Sequence, residues 1–440
     1  MLRLTRRARD VVRLLRRGAL AGLAAAPLPA QSALTRTEQH IQHSVQAARA
    51  DQVRFLERVV DINSGTLNVD GVRRVGEVFR AALDSLGFET RWASMPPEMH
   101  RAGHLVAEHR GRRGGKRILL IGHLDTVFEG EGQQFVREDT TARGAGASDM
   151  KGGDAIILYA LKALRDAGAL KDANIIVVFS SDEESAGDPL SVARRDLIEA
   201  AKRSDIALAF EGGTRGTATI ARRGASTWRL VVTARQAHSS GIFNERVGDG
   251  AVFEAARILD AFRTRLAGQP YLTFNPAVVL GGTSVTFDTL HLTGSVSAKT
   301  NIISPTAVAE GDLRFLTEEQ KDSARAVMRA IVADSLPHAS GEITFYDEYP
   351  AMPPTAGNQA LLAAYDSVSQ ALGYGAVEAL DPGRRGAGDI SFVARYVDGL
   401  DGLGADGSGA HTPEERVYLG SLPMQTERAA VLLYRLSRRK

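Results

Sequence analysis

The chain has 440 residues, enough for two ordinary domains or for one domain carrying a large insertion, and its 44% apolar and 24% charged content excludes a disordered, collagenous or coiled-coil architecture. Net charge is +2, but seven arginines and one aspartate within the first 17 residues alone contribute +6, so the remainder carries −4 and has no basic body with which to grip nucleic acid. Cysteine is absent, which excludes a disulfide scaffold, a thiol nucleophile and any thiolate-built zinc or iron–sulfur site; a metal centre here must use His, Asp and Glu.

Residues 1–34 read as an export signal and linker. An arginine-rich stretch ends in Arg16-Arg17, and a short uncharged run of small residues follows from Gly18 to Ala30. That order matches a signal peptide, with a twin-arginine character, and predicts a periplasmic or secreted protein. The plain alternative is a basic N-terminal helix of a cytoplasmic protein. The apolar run is too short to form a stable membrane span.

Thr35 and Glu38 have the spacing of a capping box, which predicts a helix to about Val60. Val72, Val75, Phe79, Ala82, Leu83 and Leu86 share one face of a second helix that Gly87 should end. Four short apolar runs then read as buried strands: 104–108, 117–121, 174–179 and 206–210. Helical patterns at 154–166 and 190–201 separate them. Continuous apolar strands alternating with helices predict a three-layer α/β catalytic domain with a mostly parallel sheet. From 219 to 336 the pattern changes to β-α-β-β-α, which predicts an inserted ferredoxin-like α+β unit. The α/β patterning resumes at 359–372, 389–396 and 422–436. The catalytic domain is therefore expected over 35–218 and 337–440.

The chemistry-bearing residues follow the apolar runs. One run leads into His123-Leu-Asp125, the next into Ser-Ser-Asp-Glu183-Glu184, the third into Glu211-Gly-Gly. Ligands gather at the carboxyl ends of strands in open α/β sheets. Positions 123 and 125 face the same way on an extended chain, so Asp125 can accept the spare N–H of His123 and leave its other nitrogen for a metal. Gly144-Ala-Gly-Ala-Ser-Asp149-Met-Lys-Gly-Gly153 is a glycine-flanked acidic loop, and Gly407-Ser-Gly-Ala-His411 frames a late histidine. Singly, each of these reads as well as a surface pair, an acidic patch or a turn. Together, carboxylates and imidazoles without thiolate suit zinc, with cobalt or manganese as alternatives.

The ordered set His-x-Asp, Gly-x-Gly-x-x-Asp-Met-Lys-Gly-Gly, Asp-Glu-Glu, Phe-Glu and Gly-Ala-His-Thr resembles the two-zinc amidohydrolases that include glutamate carboxypeptidase, aminoacylase and succinyl-diaminopimelate desuccinylase. The likeness runs over about residues 37 to 440, and the glutamate carboxypeptidase branch looks nearest. The resemblance implies two divalent ions bridged by Asp149, with His123 and Glu211 completing one site and Glu184 and His411 the other. It implies Asp125 as the residue orienting His123, Glu183 as general base, and a cis peptide after Asp149. It further implies a homodimer formed through the inserted unit, with His238 reaching the oxyanion of the other subunit, Asn301 near the substrate, and Arg314 holding the substrate carboxylate. Without the family frame, Arg314 reads as a strand-end arginine on a solvated face. One departure from the family pattern is HSSGIFNERVGDGA after His238, which lacks proline and has Asp249 where asparagine is usual.

These readings predict a two-metal hydrolase that cleaves an amide next to a free carboxylate in a small peptide or N-acyl amino acid. Arg215, Arg222 and Arg223 are candidates to meet a side-chain acid. An aminopeptidase or dipeptidase of the same family is the alternative within the class. A metal-loaded binding protein without turnover is the alternative outside it, and the presence of Glu183 argues against that.

Overall fold

The computed structural model describes residues 34–112, 114–130, 134–289 and 291–438. The segment expected to be an export signal lies, up to residue 33, outside the described residues. Among the described residues, no helix is long and apolar enough to cross a membrane.

The larger sheet has six strands in the order Glu89–Ala93, His104–His109, Asn174–Ser180, Arg117–His123, Ile206–Ala209 and Asp398–Leu400. The last four are mutually parallel, and the first two are antiparallel additions at one edge. Successive side chains alternate across the sheet. Ile118, Leu120, Val177 and Leu208 pack beneath the helices Arg36–Val60, Lys151–Asp166 and Ser421–Ser437. Leu119, Ile121, Val178 and Ala207 face Leu197, Ala200, Ile390 and Val393 on the other side. Both faces are covered, which explains why these strands read as unbroken apolar runs. Each fully buried Val, Leu or Ile among them contributes about 1.5–3 kcal/mol of transfer free energy.

Local signals agree with these elements. The Thr35 hydroxyl accepts the Glu38 N–H, and the Glu38 carboxylate accepts the Thr35 N–H, closing the capping box of the first helix. Helix Val69–Ser85 stops before Gly87, whose φ of 84° is left-handed. The helix expected over 190–201 is broken into Leu190–Ala193 and Arg195–Lys202, with the buried Arg194 at the joint.

The smaller sheet is fully antiparallel, in the order Thr273–Gly282, Thr306–Phe315, Gly224–Ala234, Ala339–Asp347. Helices Ala251–Leu266 and Glu318–Ala333 pack on it through Ile258, Phe262 and Met328 against Trp228, Leu230 and Val232. Strand order 2-3-1-4 with two helices is the ferredoxin-like arrangement. A hairpin, Ser284–Asp288 with Thr293–Ser297, extends between its second and third strands. The sequence reading closes this unit at 336, but Ala339–Asp347 pairs with Gly224–Ala234 along its whole length, so the small sheet continues to 347. One face of that strand is polar and exposed, and on the other Ile343 and Phe345 are only half-buried; this is a weak signal in sequence.

Candidate active site

The carboxyl ends of three neighbouring parallel strands meet at one place. His123 is the last residue of its strand, Glu183 and Glu184 lie on the turn after Ser180, and Glu211 follows Ala209 by two residues. His123 is buried, and its Nδ1 donates to the main-chain oxygen of Asp125 at 3.1 Å, with Asp125 Oδ1 at 3.4 Å. Its Nε2 is buried without a hydrogen-bond partner, 3.4 Å from Asp149 Oδ1 and 3.8 Å from Glu211 Oε1. His411 Nε2 lies 3.2 Å from Asp149 Oδ2 and 3.2 Å from Glu184 Oε2. Asp149 thus spans the two imidazoles with its two oxygens. His123–Asp149–Glu211 and Asp149–Glu184–His411 each form a set that could hold a metal ion, as does His123–Glu183–Glu184.

The supports of these groups are also buried. The Asp125 carboxylate accepts the Thr66 hydroxyl at 2.7 Å and the main-chain N–H groups of Glu183 and Glu184 at 3.1 Å each, so it ties the histidine strand to the glutamate turn. Glu415 accepts the N–H groups of Gly146, Ser148 and Asp149 at 3.0, 2.8 and 2.9 Å, and so shapes the loop that carries Asp149. The Asp149–Met150 peptide is cis. Gly153 permits the helix after this loop to lie against the end of the Glu211 strand, because a Cβ there would stand 2.0 Å from the Phe210 oxygen. On the glutamate turn, Asp182 pairs with the buried Arg194 at 2.7 Å, and Arg194 Nε lies 2.8 Å from Asp389. His104, which matches no motif, is a packing residue beside this turn, its Nδ1 accepting the Ser181 N–H.

Crowding of carboxylates sets the electrostatics. Burial, reinforced by Glu211, pushes the Glu183 carboxyl well above the ordinary range. Burial raises Glu184 as well, and lifts Glu211 to about 7. Burial acts on Asp149 in the same sense, but the adjoining imidazoles of His123 and His411 outweigh it and hold this carboxyl below the usual range. Asp149 and Glu184 draw the His411 imidazole up to about 10. A half-buried ring of carboxyl groups facing two imidazole nitrogens, one without a partner, suits divalent cations, which would relieve the repulsion.

The remaining sequence candidates lie on the small sheet or its linkers. His238 is exposed; its Nδ1 bonds Ser240 at 2.8 Å, and among the described residues no hydrogen bond joins it to the carboxylate cluster. Asn301 is exposed beside it, its main-chain oxygen accepting the Ser239 N–H. Arg314 pairs with Asp312 at 3.0 Å and lines a cleft of about 550 Å³ together with Arg223, Arg384 and Arg385. Arg385 connects that cleft to the cluster, since it donates to the main-chain oxygen of Gly212, the neighbour of Glu211. Of the three arginines expected to meet a side-chain acid, Arg222 is unavailable: it is buried, pairs with Asp401, and donates to the oxygens of Gly386 and Ala387. Arg215 lines a separate cavity with Asp406 and Gly213. Glu415, Arg194 and Arg385 belong to none of the motifs legible in the sequence. Glu415 closely follows His411 in HTPEER, and that proximity is the one cue it offers.

Residues 119–435 match the peptidase family M20/M25/M40. The chain is 29% identical to carboxypeptidase G2 of Pseudomonas sp. (strain RS-16) over 432 residues, 95% of this chain and 97% of that one. It is 25% identical to the succinyl-diaminopimelate desuccinylase of Gluconacetobacter diazotrophicus over 82% of this chain and 91% of that one. Among solved structures, the aminopeptidase PepT of Bacillus cereus superposes with a TM-score of 0.72 at 17% identity, covering 89% of this chain and 99% of that one. Human carnosine dipeptidase 1 superposes at 0.58 and 14%, covering 91% and 100%. These likenesses set aside the non-catalytic alternative. The chain belongs to the peptidase family M20/M25/M40 and is an enzyme of its metallopeptidase and amidohydrolase class.

Proposed function

We propose that the enzyme cleaves an amide or peptide bond beside a free carboxylate, as a carboxypeptidase or N-acyl-amino-acid amidohydrolase working with two divalent ions, zinc foremost. The observation that carries this reading is the arginine-lined cleft that Arg385 joins to the carboxylate cluster. A planar guanidinium such as Arg314 grips a carboxylate through two parallel hydrogen bonds.

His123 and Glu211 would hold one ion, Glu184 and His411 the other, and Asp149 both; the unpartnered Nε2 of His123 fits that use. When bound, the ions supply Lewis-acid charge that activates water and polarises the amide carbonyl. Glu183 then takes the proton of the attacking water on its carboxylate and returns it to the leaving nitrogen. Asp125 keeps His123 in the tautomer that leaves Nε2 free. His238 would donate to the developing oxyanion across a homodimer, with Asn301 near the substrate. The exposure of His238, and the edge-to-face pair of Phe243 and Phe253 with more than half of each side chain exposed, support a second copy on this side. The N-terminal arginine-rich segment supports export.

An aminopeptidase or dipeptidase is the second reading. Asp406, which lines the cavity beside Gly213, is an acid able to meet a free amine. Hydrolysis of matched N-acyl amino acids and free dipeptides, with metal analysis of the same sample, tests both readings. Turnover of N-blocked substrates bearing a free carboxylate supports the first; turnover confined to free-amine substrates replaces it with the second.

A further inference from the structure

The general base proposed above sits on a turn, and its main chain is held on both sides of its Cα. Asp125 Oδ1 accepts the Glu183 N–H at 3.1 Å, and the Tyr349 hydroxyl donates to the Glu183 main-chain oxygen at 2.8 Å. The two holders come from different parts of the molecule. Asp125 follows a strand of the large sheet directly. Tyr349 belongs to the ribbon that joins the two sheets: Ala225 donates to the Tyr349 oxygen at 2.8 Å, and Arg222 and Met352 exchange two main-chain hydrogen bonds at 2.9 and 3.0 Å. The Tyr349 ring packs on Phe392 with centroids 5.0 Å apart, and Phe392 also carries the guanidinium of Arg194, whose partner Asp182 precedes Glu183. Packing on Phe392 requires the ring but not the hydroxyl. The hydroxyl fixes the carbonyl of the proposed base and also bonds the Arg194 guanidinium, which is itself tied to the glutamate turn through Asp182.

We propose that Tyr349 is a positioning residue for Glu183, its hydroxyl setting the aim of that carboxylate through the main-chain oxygen. This rests on Glu183 being the base. A base misplaced by about 1 Å costs on the order of 100-fold in rate, and loss of one of two main-chain tethers should displace it by less.

Tyr349→Phe removes the hydroxyl and leaves the ring. Its kcat on an N-acyl amino acid should fall about tenfold, with KM and metal content changed less than twofold. In a Glu183→Gln background the same change should cost nothing further, because the group it aims is gone. Unchanged kcat, an equal loss in both backgrounds, or a raised KM with kcat retained each overturns the proposal, the last by indicating direct contact with substrate. Should Tyr349→Phe not fold, Tyr349→His retains a ring with an N–H donor and should stay within about threefold of the parent kcat, while Tyr349→Leu should not; equal values for the two overturn the proposal. A fully active Glu183→Gln would remove the base itself, and this inference with it. An inactive Glu183→Gln beside an unaffected Tyr349→Phe removes the role of Tyr349 alone.

Discussion

The carboxylate of Glu415 accepts the main-chain N–H of Asp149 at 2.9 Å, from 266 residues away in the chain. It takes two further N–H groups of the same loop and is itself almost wholly buried. Removing it leaves several buried donors unsatisfied, at about 1–3 kcal/mol each. Glu415→Gln, which keeps an acceptor oxygen but loses the charge, should bind zinc about 10–100-fold more weakly, as changes behind metal ligands typically do. Competition with a chromophoric chelator measures this. Unaltered affinity would mean that the loop holds Asp149 in place without it.

The metal-free site should make stability depend on pH in one direction. Glu211 binds its proton more tightly when folded, with the pKa raised from 4.5 to about 7, so its contribution is present below 4.5 and lost as pH climbs through 7. His411 acts alike, raised from 6.5 to about 10, and its contribution is lost as pH climbs through 10. Asp149 acts in the opposite sense, in a window below 3.8. Chelator-treated protein should therefore melt at a lower temperature at pH 9 than at pH 6, and added zinc should raise the melting temperature more at pH 9. A melting temperature that rises with pH in the absence of metal would contradict this electrostatic picture.

Arg314 distinguishes a substrate-binding residue from a solvated surface arginine. If it grips the substrate carboxylate, Arg314→Gln should lower kcat/KM for N-acyl amino acids about 10–100-fold and leave the corresponding carboxamides untouched. Steady-state kinetics on the matched pair decides. Equal losses on both would assign Arg314 to the cleft wall, with Asp312 as its partner.

Arg194 lies between two buried carboxylates, Asp182 and Asp389. Removing one member of a buried ionic group costs about 3–5 kcal/mol, because the others are left unpaired. Arg194→Met should lower stability by about that amount in urea titrations of the metal-loaded enzyme. A loss under about 1 kcal/mol would show that water or a neighbouring group takes over the pairing.

Much of this arrangement can be read from the chain because the physics is local. Unbroken apolar runs mark strands covered on both faces, and Leu119 and Leu120, pointing to opposite sides, are both fully buried. A His, a glutamate pair and a Glu at the ends of such runs converge because parallel neighbours share an end. What sequence hides is long-range pairing. Glu415 looks like any exposed acid in HTPEER until the loop of Asp149 closes around it. Arg222 and Arg223 are adjacent and alike in sequence, yet the first is consumed by Asp401 and the second lines the cleft. The strand Ala339–Asp347 has one solvated face, and its place in the small sheet comes from its partner rather than from its own pattern.

The measurement that bears most directly on the account is the turnover and metal content of purified Glu183→Gln. The side chain keeps its size but can no longer accept a proton. The account predicts two bound divalent ions per chain, as in the unmodified enzyme, with hydrolysis slowed about 100- to 10,000-fold. Undiminished hydrolysis, or loss of the ions, would contradict it.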